Sequence, residues 1–419
     1  MEVPFKKCNI LLPKKDINYT LWSVIACDQY TSQKEYWQAV SDLVFDKPST
    51  YKITLPEVYL EDVDVETRIN NINLTMDKYL NEDIFDEYKD TMIYLERTDS
   101  TGKVREGLIG MIDLEAYDYN KGSDSLVRAT EKTVIERIPP RKKVRINAPL
   151  ELPHIMILID DEKKQIIETL KNKVKEEDKV YDFDLMMNGG HSKGYLLSSE
   201  VIDEITNKLS DLGELNYFNA KYDVNVTNPL LFAMGDGNHS LATAKACYEE
   251  VKTRLGSEAI NHPSRYALVE LVNIHSDALD FEPIHRVIFD TNPKDLLSKL
   301  YEYYDINETG NGQKITYITS NEEKTIYISN PKSNIATGTL QIFLDEYLNT
   351  NSGKIDYIHG DDVTRDLSKK DNNIGFLLPK MEKNELFRTV ILDGALPRKT
   401  FSMGHSDDKR FYLECRRIK

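Results

Sequence analysis

Two hydrophobic periods alternate along this chain, and the places where one gives way to the other mark its elements. Apolar side chains three and four residues apart share a helix face, whereas those two apart share a strand face. The helical period predicts helices over 63–80, 162–177, 199–212 and 293–303, and one more after residue 239, where Leu241, Ala244, Tyr248, Val251 and Leu255 recur. Short apolar runs at LPHIMILI, NPLLFAM and SRYALVELVNIH have strand length. TMIYLERT and EGLIGMIDLEAYDY flank the turn Asp99-Ser100-Thr101-Gly102 and predict a hairpin, and the runs on either side of the glycine turn at His191 predict another. Strand, helix and strand over 228–275 predict a βαβ unit with parallel strands and a right-handed crossover. That unit would bring the ends of both strands, the GDGNHS turn and His275 with Asp277, to one edge of a sheet. The predicted class is mixed α/β (α+β), with this core and further α+β segments over the regions 1–150, 151–290 and 291–419.

Composition narrows the function classes. At 419 residues the chain exceeds one typical domain, and its 40% hydrophobic and 30% charged residues are ordinary for a globular protein. A net charge of −16 excludes a general nucleic-acid surface, which needs cations to neutralise phosphates. No apolar run reaches the roughly eighteen residues of a membrane helix. MEVPFKKCNILLPKK carries no small-residue cleavage site behind a sustained apolar region, so a cytoplasmic protein is expected. Cys8, Cys27, Cys247 and Cys415 lie far apart, which predicts free thiols rather than a zinc site. Cys27 and Asp28 end a strand-like run, and a buried structural thiol is the expected state of Cys27.

Candidate chemistry concentrates in FAMGDGNHSLATAKACYEE, from Phe232 to Glu250. A buried strand ends there in a glycine turn and a helix begins, so unpaired first-turn N–H groups and the positive end of the helix dipole suit a phosphate. The same pattern also occurs at ordinary strand-to-helix turns. Arg137, Arg141, Lys142, Lys143 and Arg145 form one basic island, and Pro139-Pro140 predicts a loop there, either solvated or reaching a bound anion. Asp356, His359, Asp361 and Asp362 read as a turn and helix cap ahead of a metal or acid–base cluster. The closing strand, before a turn at Ser406-Asp407-Asp408, carries Arg398, Lys399, Ser402 and His405.

EKT at 131–133, GDGNHSLATA, PIHR at 283–286, GFLLPK at 375–380 and ALPRKTFSMGH at 395–405 together resemble a bacterial uncharacterised-domain family, the one numbered 1015, over nearly the whole chain. That family's glycine–histidine turn is similar to the nucleotide-binding turn of the ParB, sulfiredoxin and free-serine kinase group. The resemblance implies a ParB-like core with nucleotide or phosphate at Gly235, Asp236, Gly237, Asn238 and His239. The usual turn reads closer to DGHHR; with Asn238 and Ser240 here, positive charge would come from the 137–145 island or Arg286. Members are often encoded beside serine-biosynthesis enzymes, which implies serine or phosphoserine as substrate.

The function expected is phosphotransfer, by a kinase or a phosphatase, on a small hydroxylated or phosphorylated metabolite; the alternative is a non-enzymatic nucleotide-binding sensor. Gly235, Gly237, Asn238 and Ser240 would hold the phosphate, and Asp236 would hold Mg2+ or act as base. His239 would donate to a phosphate oxygen, His285 and Arg286 would stabilise charge, and Arg398, Lys399 and His405 would take a substrate carboxylate. ADP or ATP would be the nucleotide, with no nucleic-acid or membrane partner.

Overall fold

The computed structural model describes residues 1–133, 135, 138–152, 154–403 and 409–419. Arg137, His405 and the Ser406-Asp407-Asp408 turn lie outside the described residues. The chain divides into two compact units: 1–129, 133–279 and 405–419 form the first, and 130–132 with 280–404 the second.

The first unit is built on a ten-stranded mixed sheet. Its middle comprises β1 (Ile93–Thr98), β2 (Val104–Asp113), β3 (Met156–Ile159), β4 (Phe232–Asp236) and β5 (Tyr266–Asn273), in the spatial order β1-β2-β5-β3-β4. The β1–β2 hairpin is present, with Asp99 Oδ1 accepting the N–H groups of Thr101 and Lys103 at its turn. The second hairpin joins Lys179–Asp184 to His191–Leu196.

The strand–helix–strand order over 228–275 is also present, but its two strands are neither parallel nor adjacent. β3 inserts between them, antiparallel to β4 (Met156 opposite Asp236) and parallel to β5 (Met156 opposite Glu270, Ile159 opposite Asn273). The inserted strand is buried along its whole length, as a central strand with both faces covered must be. β4 and β5 therefore run in opposite directions, and their carboxyl ends point to opposite edges. His275, beyond the end of β5, bonds Asp160 beyond the end of β3 at 2.6 Å and belongs to that other edge.

Helices surround this sheet. Among them are α1 (Val65–Asn81), α2 (Ile138–Arg145) and α3 (Asn238–Leu255). α2 replaces the loop expected at the basic island. Pro139 and Pro140 fall in its first turn, where backbone N–H groups have no intrahelical partner, so two prolines cost little there. The helix expected over 162–177 is absent. Asp161 Oδ2 draws the Gln165 and Ile166 N–H groups into a turn at 2.6 and 2.8 Å, and Lys164 sits at φ 51°, a conformation no helix continues through. Ile166, Ile167 and Leu170 still point into the core, so the burial pattern survives without the helix.

One polar position inside β5 is a buried ion cluster. Glu270 is 0% exposed; Arg105 donates to it through Nε at 2.9 Å and Arg410 through Nη1 at 2.7 Å. Arg410 also donates to Glu414, which accepts the Tyr181 hydroxyl at 2.6 Å. Burial pushes the Glu270 carboxyl up, but the two guanidinium charges outweigh it and keep the group ionised.

The second unit carries a seven-stranded sheet around Phe281–Phe289, which pairs antiparallel with Lys354–His359 and with Ile374–Leu377. Ile288, Leu296, Leu340, Leu344 and Phe376 fill its core.

Candidate active site

The GDGNHS turn ends β4 and opens α3. Gly237 is the N-cap at φ 82°, where a Cβ would come within 3.0 Å of Ile155 Cα, so glycine is demanded both by conformation and by space. Gly235, half-buried in the strand, packs on Leu158. Among the described residues no side-chain hydrogen bond caps α3, and its first turn, Asn238, His239 and Ser240, carries no acidic residue that would offset the positive end of the helix. Asn238 Oδ1 is buried with no hydrogen-bond partner among the described residues. Asp236 Oδ1 accepts the Gly237 N–H at 2.8 Å, and its Oδ2 faces Lys409 Nζ at 3.0 Å.

Beside this turn lies a cavity of about 150 Å3 within the first unit. Ser240 and Thr243 reach it from α3, and Arg141 and Arg145 from α2. Ile53, Leu55, Met76 and Leu152 supply apolar wall. Arg141 is ion-paired with Glu57, and Arg145 with Glu151 at 2.5 Å; Glu151, 3% exposed, also takes Arg416 Nε at 2.6 Å. Two residues of the basic island thus face the cavity, both already ion-paired, while Lys142 and Lys143 pair with Glu250 and Glu66 and do not line it.

His154, Cys27 and Tyr412 complete the lining. His154 Nε2 lies 3.3 Å from Asp28 Oδ2, and its Nδ1 lies 3.1 Å from the Tyr412 hydroxyl oxygen, which also accepts the Cys27 N–H at 3.3 Å. Burial disfavours the imidazolium, but the ion pair and hydrogen bond to Asp28, then Asp236 and Glu57, raise the His154 pKa above the ordinary histidine value. Burial likewise raises Asp28, and His154 and Gln29, with Lys409, more than offset it, holding the carboxyl well below the usual range. The pair is a hydrogen-bonded histidine–carboxylate couple in which each partner favours the charged form of the other, with 29% of the Asp28 side chain exposed. Cys27 is buried and its thiol is pushed up to about 12, chiefly by desolvation, so it stays protonated.

These shifts set a pH dependence. The raised His154 stabilises the fold fully below the unfolded value near roughly 6.5, and that contribution fades as pH climbs through its folded pKa. The depressed Asp28 contributes above roughly pH 4, down to its lower folded pKa. The first unit is therefore expected to lose stability as pH rises from about 6.5 through the raised folded pKa of His154. Urea midpoints across that range check it, because His154→Gln should flatten the slope; an equal slope in the variant would remove the pair as its source.

The remaining predicted site residues belong to the second unit, where they bind one another. His285 Nδ1 accepts the Leu378 N–H at 3.1 Å and Nε2 donates to Asp361 at 3.0 Å, a neutral histidine whose pKa burial lowers. Arg286 is 0% exposed and donates to Gln341 Oε1 and to the carbonyls of Ile284, Lys399 and Arg398. Desolvation lowers its pKa to about 10. Arg398 and Lys399 thus contribute backbone to that knot, and Glu131 of the EKT segment bridges Leu396 beside them. Asp361 opens the helix Asp361–Ser368 after Gly360, so the HGDD stretch is a turn and helix start.

Among the described residues, no group of three or more His, Cys, Asp or Glu has the spacing of a metal centre. Both Asp236 oxygens are engaged, a donor set that does not fit a resident divalent cation. Among the described residues no helix is long and apolar enough to cross a membrane.

Sequence reasoning missed His154, Tyr412 and Lys409 and noticed Asp28 without giving it a role. The available signal was His154 beside Pro153, a polar residue opening an otherwise apolar strand.

Comparison with known proteins adds the family. No curated protein matches the chain. Similar solved structures include a free serine kinase variant in complex with ADP, at 10% identity and a TM-score of 0.39, covering 74% of this chain and 92% of that one. A conserved hypothetical protein from Pyrococcus furiosus aligns at 10% identity and a TM-score of 0.35, covering 76% and 96%. C-terminally truncated SbnI from Staphylococcus aureus aligns at 9% identity and a TM-score of 0.36, covering 71% and 82%. The family model described as a protein of unknown function, DUF1015, matches residues 6–347, and the chain belongs to that family.

Proposed function

We propose that the first unit is a cytoplasmic phosphotransfer enzyme acting on a small hydroxylated metabolite, with serine and phosphoserine as the substrate pair and ADP or ATP as the nucleotide. The observation that carries this reading is the convergence on one cavity of Ser240 and Thr243 from the start of α3, two arginines of α2, and His154, which pairs with Asp28 behind it. Phosphoryl transfer asks mainly for positioning and charge stabilisation, and these parts supply both. A volume of about 150 Å3 is small beside the roughly 300 Å3 and more of drug-sized sites, which favours a small metabolite. Four buried free cysteines suit a reducing compartment.

In the kinase direction the substrate hydroxyl oxygen attacks the terminal phosphorus of ATP. A new O–P bond forms, the bond to the bridging oxygen breaks, ADP leaves, and the hydroxyl proton passes to Asp28. His154, hydrogen-bonded to Asp28, favours the ionised carboxylate until then. Backbone N–H groups of the first α3 turn, with Ser240 and His239, hold the transferring phosphate, and Arg141 neutralises developing charge. Lys409 cancels the Asp236 charge beside that phosphate, and Asn238 Oδ1 accepts from the substrate ammonium.

Phosphorus NMR of the full chain with phosphoserine and Mg2+, alone and with ADP, tests the reading. ATP in the second tube is the expected result; free phosphate in the first would mean a phosphatase. Unchanged spectra in both would overturn the serine assignment, and ADP binding without turnover would favour a sensor.

A further inference from the structure

A second concavity in the first unit, of about 600 Å3, is bounded by the end of α2, the C-terminal half of α3, residues 262–264 and residues 418–419. Arg145, Arg254 and Lys419 line it against a single carboxylate, Glu250, which is already ion-paired with Lys142. Arg145 is held by Glu151, but Arg254 and Lys419 have no ion-pair partner among the described residues. Cations gathered around a shared void repel one another, and an acidic chain of net charge −16 had carboxylates to spare for them. His262 stands on the same wall. Its Nδ1 accepts the Ser264 N–H at 3.2 Å, which puts the ring proton on Nε2 as a further donor. Ile146, Val251 and Ile418 add an apolar side.

We propose that this cleft binds a small organic polyanion of the phosphate-ester and polyphosphate class, its charge taken by Arg254, Lys419 and His262 and its uncharged body lying on Val251 and Ile146. The volume is within the range of small-molecule sites. The electrostatics agree. Burial, then Arg254 and Lys419, lower the His262 pKa. An anion seated between those cations cancels their effect, so His262 should titrate higher in the complex. Arg145 and Glu250 also line the cleft, each already paired, and Asp77 acts on Lys419 from outside the lining; none of the three opposes this direction.

The test is calorimetric titration of the full chain with pyrophosphate and with ADP, adenosine serving as the uncharged control, alongside histidine proton NMR over a pH series. The wild-type chain should bind an anionic probe saturably, and His262 should titrate at higher pH in its presence. Arg254→Glu, at an exposed position that leaves packing intact, should weaken that binding by about tenfold or more. Binding unchanged in the Arg254→Glu variant, an unmoved His262, adenosine binding as tightly as ADP, or no binding at all would each overturn the proposal. The site described above stands or falls separately, because Arg254 and His262 take no part in it.

Discussion

Replacing Glu270 with glutamine will lower the unfolding free energy of the first unit by about 3–5 kcal/mol. The carboxylate is wholly buried between Arg105 and Arg410, and its removal takes the carboxylate partner from Arg105 and leaves Arg410 with Glu414 alone. The loss is larger than that of an exposed ion pair, which contributes about 0–1 kcal/mol, because neither arginine can be rehydrated without opening the sheet. Both tryptophans of the chain, Trp22 and Trp37, are buried in the first unit, so their fluorescence during urea unfolding reports this unit alone. Replacing Glu270 and Arg105 together by methionines should recover much of the loss, since Arg410 then keeps Glu414 as its partner and no charge remains unmatched. A Glu270→Gln loss under about 1 kcal/mol would mean that water reaches the cluster and screens it.

The largest effect on activity is expected at Asp28. Asp28→Asn keeps the size and the hydrogen bond toward His154 but removes the proton acceptor and the charge that raises the His154 pKa. Turnover of the phosphoserine reaction should fall by about 10^2–10^4, the usual contribution of a positioned acid or base. The tryptophan spectrum should be unchanged, since 29% of this side chain is solvent-exposed and it carries no core packing. Full turnover in the variant would remove Asp28 from the chemistry and return the role of base to Asp236.

Local periodicity determined a good deal. The β1–β2 hairpin, α1, the helix Ser199–Leu212 and α3 all appear where apolar spacing and turn residues place them, because each needs only neighbours within a few residues to satisfy its backbone. The GDGNHS turn is likewise a local feature: Gly237 at φ 82° and the start of α3 follow from residues within a single turn. The burial of Cys27 follows the ordinary habit of free cysteine.

What tertiary structure alone decided is pairing over long separations. β3 lies about eighty residues before β4, and nothing local announces that it will insert between β4 and β5 and reverse their relation. The same holds for the site, where Cys27, His154, Ser240 and Tyr412 come from four distant segments, brought together by burial of the surfaces on which they sit, with Asp28 held against His154. Asp161 could end a predicted helix because a carboxylate that satisfies two N–H groups outweighs a helix propensity worth only tenths of a kcal/mol per residue. Sequence determined which elements could form and which residue types were available for chemistry; packing decided which of those residues share a cavity, since hydrophobic burial constrains surfaces without regard to their order along the chain.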